Sequence, residues 1–202
     1  MDMFNGYEPR TPDEEAQARW QVVDRLATLG RCEEAVQAQR EFLDWARDAL
    51  DADRLLWVMS GDTQALCWIA VDRHDEWLGI FWQLLGSLNR RSTNRVARLD
   101  YLRTAGLVLT RLGRKDDALR VAGMIRDLAR EDPGWERRLW AQVEASVIEL
   151  YLHQAAGDRE RLRREAAAVA VTLQRGGQQA VDATRLNELL AYVHGILEDP
   201  SQ

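Results

Sequence analysis

The sequence predicts an all-α fold, an array of antiparallel helix hairpins with about nine helices, and three observations carry that prediction. A seven-residue phrase recurs four times between apolar helical patterns. It reads Leu29-Gly30-Arg31-Cys32-Glu33-Glu34-Ala35, Val71-Asp72-Arg73-His74-Asp75-Glu76-Trp77, Leu112-Gly113-Arg114-Lys115-Asp116-Asp117-Ala118 and, more weakly, Ala156-Gly157-Asp158-Arg159-Glu160-Arg161-Leu162. Its second residue stands at 30, 72, 113 and 157, spacings of 42, 41 and 44, which is the signature of stacked helical repeats. Sustained period-2 alternation is absent, and glycines fall between segments more often than within them.

The helices follow in order. Residues 1–10 read as a loose tail. Thr11-Pro12-Asp13-Glu14-Glu15 supplies a cap, a proline at the first helical position and acids that favour the dipole, opening a helix to about Thr28. Its buried face carries Trp20, Val23, Leu26 and Ala27. A second helix covers about 32–50 with Ala35, Phe42, Leu43, Trp45 and Ala46, and a third about 53–71, which Ser60-Gly61 bends or splits. The fourth, about 75–88, is dense in bulky residues, and Ser92-Thr93-Asn94 caps a fifth that ends near Arg111. A sixth runs from 115 to about 130 and stops at Asp132-Pro133-Gly134. The seventh spans about 135–155, the eighth about 159–175 up to Gly176-Gly177, and the last about 179–198. Repeats therefore occupy 11–175, and 176–202 forms a capping helix.

Glycine in the phrase allows φ > 0 at the helix C-terminus, so the next helix folds back closely. The acids after it sit in the next first turn, and Ala35 and Ala118 permit close helix approach. The second repeat breaks the pattern with Asp72 and Trp77, which predicts wider packing and local irregularity there.

These residues resemble a tetratricopeptide repeat array of the longer-helix bacterial variety. The third repeat matches best, through Leu102, Ala105-Gly106, Leu109, Gly113, Ala118, Ala122 and Ile125, with Pro133 slightly late. The first matches at Leu26, Gly30, Ala35 and Phe42, the second at Trp68, Phe81 and Leu84, and the fourth at Gly157, Ala166 and Val169, with His153 departing from the usual aromatic or leucine. The resemblance covers about 13–175. It implies a right-handed superhelix whose first helices line a concave groove for a protein or peptide. Carried over residue by residue, that groove holds Trp20 and Asp24, then Met59, Asp62, Leu66 and Ile69, then Asp100, Arg103, Leu107 and Arg111, and finally Glu144, Val147, Tyr151 and Gln154.

Bulk properties bound the alternatives. A composition 46% hydrophobic and 30% charged is globular, and a net charge of −6 requires any nucleic-acid or anionic-membrane surface to be a local patch. The basic residues are arginine except for Lys115, a skew that fits a GC-rich bacterial genome. Apolar stretches are interrupted well short of the roughly 20 residues of a membrane span. The N-terminus has no basic-then-apolar leader pattern. Cys32 and Cys67 make no disulfide framework, so a cytoplasmic protein with plain thiols is expected.

Catalytic signatures are missing. There is no Gly-Lys-Ser/Thr, Gly-x-Gly-x-x-Gly, Gly-x-Ser-x-Gly or Glu-x-x-His. The sequence therefore predicts no enzyme, no cofactor and no metal. Weaker constellations have ordinary accounts. Asp72, His74, Asp75 and Glu76 could hold a cation or act as a base, but read better as a charged turn. Glu149 and His153 lie one turn apart without a second such pair. Cys32 beside Arg31 gains thiolate character from its neighbours but has no completing base. Trp68, Trp77, Phe81 and Trp82 form either an aromatic pocket for a small molecule or signal peptide, or, the stronger reading, a bulky core. Trp135 and Trp140, five apart, cannot share a face, which points one of them at a partner. The arginines of 159–164 interleave with acids as a solvated face, and Asn89-Arg90-Arg91-Ser92 with Arg95 and Arg98 is the weak candidate for phosphate. The leading expectation is a non-enzymatic adaptor, scaffold or regulatory subunit that binds a protein or peptide. The open ends of such an array favour self-association.

Overall fold

The computed structural model describes residues 11–88, 95–131, 134–176 and 183–198. Every regular element among them is a helix: α1 (Pro12–Thr28), α2 (Cys32–Ala49), α3 (Ala52–Val58), α4 (Asp62–Ala70), α5 (His74–Leu88), α6 (Arg95–Arg111), α7 (Lys115–Glu131), α8 (Trp135–Ala155), α9 (Arg159–Gly176) and α10 (Ala183–Glu198). None is long and apolar enough to cross a membrane. The tail over 1–10, the cap at 92–94, the Asp132-Pro133 stop and the start of the last helix at 179–182 lie outside the described residues. The chain divides into two compact units, residues 1–93 and 94–202.

The recurring phrase is a recurring turn. Gly30, Asp72, Gly113 and Gly157 take φ of 71°, 54°, 68° and 66°. At each, the left-handed residue donates its N–H to the carbonyl three residues back, namely Ala27, Ile69, Thr110 and Gln154, at 3.0–3.1 Å. The following residue reaches five back, to Leu26, Trp68, Leu109 and His153, at 2.8–3.0 Å. This paired pattern satisfies the last helical carbonyls and reverses the chain. The residue after the left-handed one then opens the next helix, its carbonyl accepting from Ala35, Trp77, Ala118 or Leu162. Its side chain pairs with the residue three further on. Arg31 binds Glu34 at 2.6 Å, Arg73 binds Glu76 at 2.6 Å and Arg114 binds Asp117 at 2.7 Å. The fourth turn keeps the geometry with charges exchanged, Asp158 facing Arg161 at 3.5 Å and accepting its backbone N–H at 3.2 Å. At α1 the expected capping box is present, with Thr11 and Glu14 bonded reciprocally.

In the first unit α1 packs on α2 and α4, α2 also contacts α3 and α4, and α5 closes against α3 and α4. The expected irregularity is not at Asp72, whose turn matches the other three. It falls at Met59-Ser60-Gly61, where the third predicted helix divides into α3 and α4. Met59 and Ser60 donate to Leu56 and Trp57 in a tightened last turn, and the Ser60 hydroxyl donates to the Trp57 carbonyl at 2.8 Å. Gly61 leaves room for the Gln64 amide, which a Cβ there would force to move. The nine-residue α4 shares less packing with α5 than the longer helices share within their hairpins. A buried polar relay ties the layers together. Trp68 Nε1 donates to Gln39 Oε1 at 2.6 Å, and Gln39 Nε2 donates to the Val58 carbonyl at 3.0 Å.

The expectation of free thiols is corrected by the same packing. Cys32 and Cys67 are disulfide-bonded, with Cα atoms 4.7 Å apart. Because α2 and α4 run antiparallel and touch, the first turn of one lies beside the last turn of the other.

In the second unit each helix packs on the next, and α6 also meets α8. Gly106 permits that approach, for a Cβ there would stand 2.2 Å from Ile148 Cδ1. The last layer is an apolar cluster of α8, α9 and α10 built on Leu150, Leu162, Ala166, Leu189 and Val193.

Asp72 holds a conformation that costs an L-residue about 1 kcal/mol, eased by its short polar side chain. The substitution Asp72→Gly should raise the unfolding free energy by roughly 0.5–1 kcal/mol, and Gly113→Ala should lower it by about 1 kcal/mol. Urea midpoints at constant slope would check both, and opposite signs would show that the turn conformation is not what limits stability.

Candidate functional site

The first unit presents an aromatic face assembled from three helices. Trp20 of α1 stacks on Trp57 of α3, with centroids 5.4 Å apart and planes 25° apart. Phe42 of α2, buried beneath, meets Trp57 edge-on at 6.5 Å and Trp45 at 6.0 Å. The Arg19 guanidinium lies 5.0 Å from the Trp45 ring centroid and binds Glu15 at 2.7 Å. Arg54 of α3 reaches back to Asp13 of α1 at 2.6 Å and so holds the short α3 against the aromatic stack. All three tryptophans remain half-buried. Each thus keeps part of a large apolar ring in water, where a partner surface could cover it.

The residues expected to line a groove divide between the two units. In the first, Trp20 belongs to the aromatic face, and Asp24 accepts from Gln64 Nε2 at 2.9 Å, joining α1 to α4. Asp62, Leu66 and Ile69 are half-buried on α4, but Met59 is fully buried and is a core residue. In the second, Asp100, Arg103 and Leu107 are half-buried on α6 and Arg111 is exposed, whereas Glu144 and Val147 are buried within α8 packing. Helix α8 is covered by α6, α7 and α9 in turn, which leaves little of its circumference open. Tyr151 and Gln154 face the capping helix. Tyr151 meets Tyr192 with centroids 5.2 Å apart, and the Tyr192 hydroxyl donates to Gln154 Oε1 at 3.0 Å.

The other tryptophan cluster is core. Trp68, Trp77 and Phe81 have no exposed surface, and Trp82 is half-buried. Trp77 stacks on Phe81 at 5.6 Å, and Phe81 meets Trp82 edge-on at 4.8 Å. Their spacing encodes bulk that fills the broken second repeat.

The charged constellations are ion-paired structure. His74 Nδ1 is 3.4 Å from Asp72 Oδ1, and Glu76 sits between Arg73 at 2.6 Å and Arg40 of α2 at 3.0 Å. Among the described residues no group of three or more His, Cys, Asp or Glu side chains could hold a metal ion. Glu149 bonds not to His153 but to Arg126 of α7, through two contacts of 2.8 and 2.6 Å. That hydrogen-bonded fork, with Glu149 and Glu165 as countercharges, raises the Arg126 pKa. Residues 89–94 and the side chain of Trp135 lie outside the described residues, and Trp140 packs against the last apolar cluster.

Sequence reasoning put Trp20 both on the buried face of its helix and in the groove, counted Trp45 only among apolar helix residues, and did not single out Trp57 or Arg19. A usable signal was present in Phe42 and Trp45, one turn apart on α2. Comparison of the chain with protein-family models, curated proteins and solved structures finds no match.

Burial, and then the neighbouring Tyr151, raise the Tyr192 pKa above the ordinary phenol value of about 10. The folded state therefore holds this proton more tightly than the unfolded one. Its contribution is complete below about pH 10 and is lost as pH rises through the folded value. Tyr192→Phe should lose less stability than wild type between about pH 9 and about pH 11, because it has no phenol to ionise. Parallel decline of the two proteins in denaturant titrations would contradict this.

Proposed function

We propose that the chain is a non-enzymatic protein- or peptide-binding module, an adaptor, scaffold or regulatory subunit built as a tetratricopeptide-like array. The observation that carries the reading is the half-buried tryptophan face of α1, α2 and α3. Tryptophan is enriched among the residues that dominate binding energy, and a few such anchors suffice for an extended or helical peptide. The exposed acids Glu41 and Asp48 stand one turn either side of Trp45 on α2, and the whole chain is acidic at −6. A segment carrying arginine or lysine beside an apolar anchor suits that face, through cation–π contact and charge complementarity. The half-buried Asp100, Arg103 and Leu107 of α6 form a second, separate surface for the same kind of partner. Self-association has its own support at the end of α1, where Val22 and the C-cap residue Leu29 are exposed with Leu26 half-buried between them.

Affinity capture from the native host, with wild type, Trp45→Ala and Arg103→Glu as baits and mass spectrometry as readout, tests the proposal. A partner retained by wild type and lost by folded Trp45→Ala places binding on the aromatic face. Loss only with Arg103→Glu moves it to α6, and retention by both variants removes both surfaces. Sedimentation across a concentration series should show a dimer that Leu29→Glu abolishes, and a strictly monomeric wild type ends the self-association reading.

A further inference from the structure

The disulfide joins two unlike cysteines. Cys67, in the last turn of α4, is 2% exposed, while Cys32, the first residue of α2, is half-buried beside exposed Arg31 and Glu33. An incoming sulfur species therefore meets Cys32 first. The Arg31 guanidinium is committed to Glu34, so the feature that favours a Cys32 thiolate is its place in a helical first turn, next to unpaired backbone N–H groups.

We propose that Cys32 and Cys67 form a thiol–disulfide exchange site for a low-molecular-weight thiol/disulfide couple, entered at Cys32 and resolved by Cys67. In the reducing direction a small thiolate attacks Cys32 Sγ, the Cys32–Cys67 bond breaks, and Cys67 leaves as thiolate and takes a proton. A second small thiolate attacks the outer sulfur of the mixed disulfide and releases Cys32. Two small thiols thus become one small disulfide, and two electrons and two protons pass to the protein. Oxidation is the reverse, with the Cys32 thiolate attacking the small disulfide and Cys67 expelling the remaining small thiolate.

The bond has a mechanical consequence in the first unit. Helices α3 and α4 have seven and nine residues, shorter than helices that persist alone. The disulfide anchors α4 to α2 beside its two polar ties, Gln64 to Asp24 and Trp68 to Gln39. Reduction leaves those ties and the apolar packing to hold α4. The second unit contains no cysteine and serves as an internal control. Exchange also reconciles the bond with a reducing compartment, where paired cysteines are transient or sensing rather than permanent. This inference is independent of the binding reading above.

The full-length protein would be equilibrated in glutathione buffers of graded ratio and quenched with an alkylating agent. Intact mass and amide hydrogen exchange would then be read. The expected result is one reversible two-electron transition, with residues 62–70 exchanging about tenfold faster or more in the reduced form while 95–131 are unchanged. Oxidised glutathione should form an adduct on Cys32 in Cys67→Ala and leave Cys67 unmodified in Cys32→Ala. Should Cys67→Ala misfold, Cys67→Val keeps apolar volume at the buried position, and the wild-type measurements stand alone. Absence of the disulfide in fully oxidised buffer, equal labelling of both single-cysteine variants, or unmoved exchange in α4 would each overturn the proposal.

Discussion

A residue with φ between 54° and 71° stands at the end of four helices, and the rest of the structure depends on that backbone state. A left-handed residue lets a helix reverse within two or three residues while its last carbonyls stay satisfied. Glycine takes that state freely at 30, 113 and 157, and Asp72 shows that geometry rather than residue identity is the requirement. Once the turn is made, the next residue's carbonyl starts a helix and its side chain closes a local ion pair. These pairs lie at or near the surface, where solvent screening leaves them a minor contribution. The reversal matters more, because it lays apolar faces of consecutive helices together and so creates the core.

The two units solve the packing problem differently. The second uses long helices and small contacts, with Gly106 admitting Ile148 and Ala166 fully buried in the last layer. The first has a divided helix and bulky residues. It compensates with stacked rings, a buried Trp68–Gln39–Val58 relay and a covalent bond. Large rings and short helices leave some aromatic surface half-covered, and this is why the aromatic face lies on α1, α2 and α3.

Much of the fold was legible because helix punctuation is local. The repeated phrase, the capping box at Thr11 and the break at Ser60-Gly61 are all written within a few residues of where they act. The groove was less legible because side-chain direction changes by about 100° per residue along a helix. Transferring positions from one repeat to the next therefore fails after any change of phase. Met59 sits at such a change, in the tightened end of α3, and turns inward. Glu144 and Val147 lie on a helix covered from several sides, which no single helix's pattern reveals. The cysteine pairing needed knowledge that α4 rests on α2, and Trp45 and Trp57 meet through Phe42 only in three dimensions.

The Cys32–Cys67 bond also changes the topology of the polypeptide. It closes a covalent ring 35 residues along the chain that contains α2, α3 and most of α4. The connection at exposed Asp51 lies inside this ring. A protease that nicks the chain there severs one path between the termini but not the other. Both fragments stay joined as a single two-chain species, which separates only when the sulfurs part.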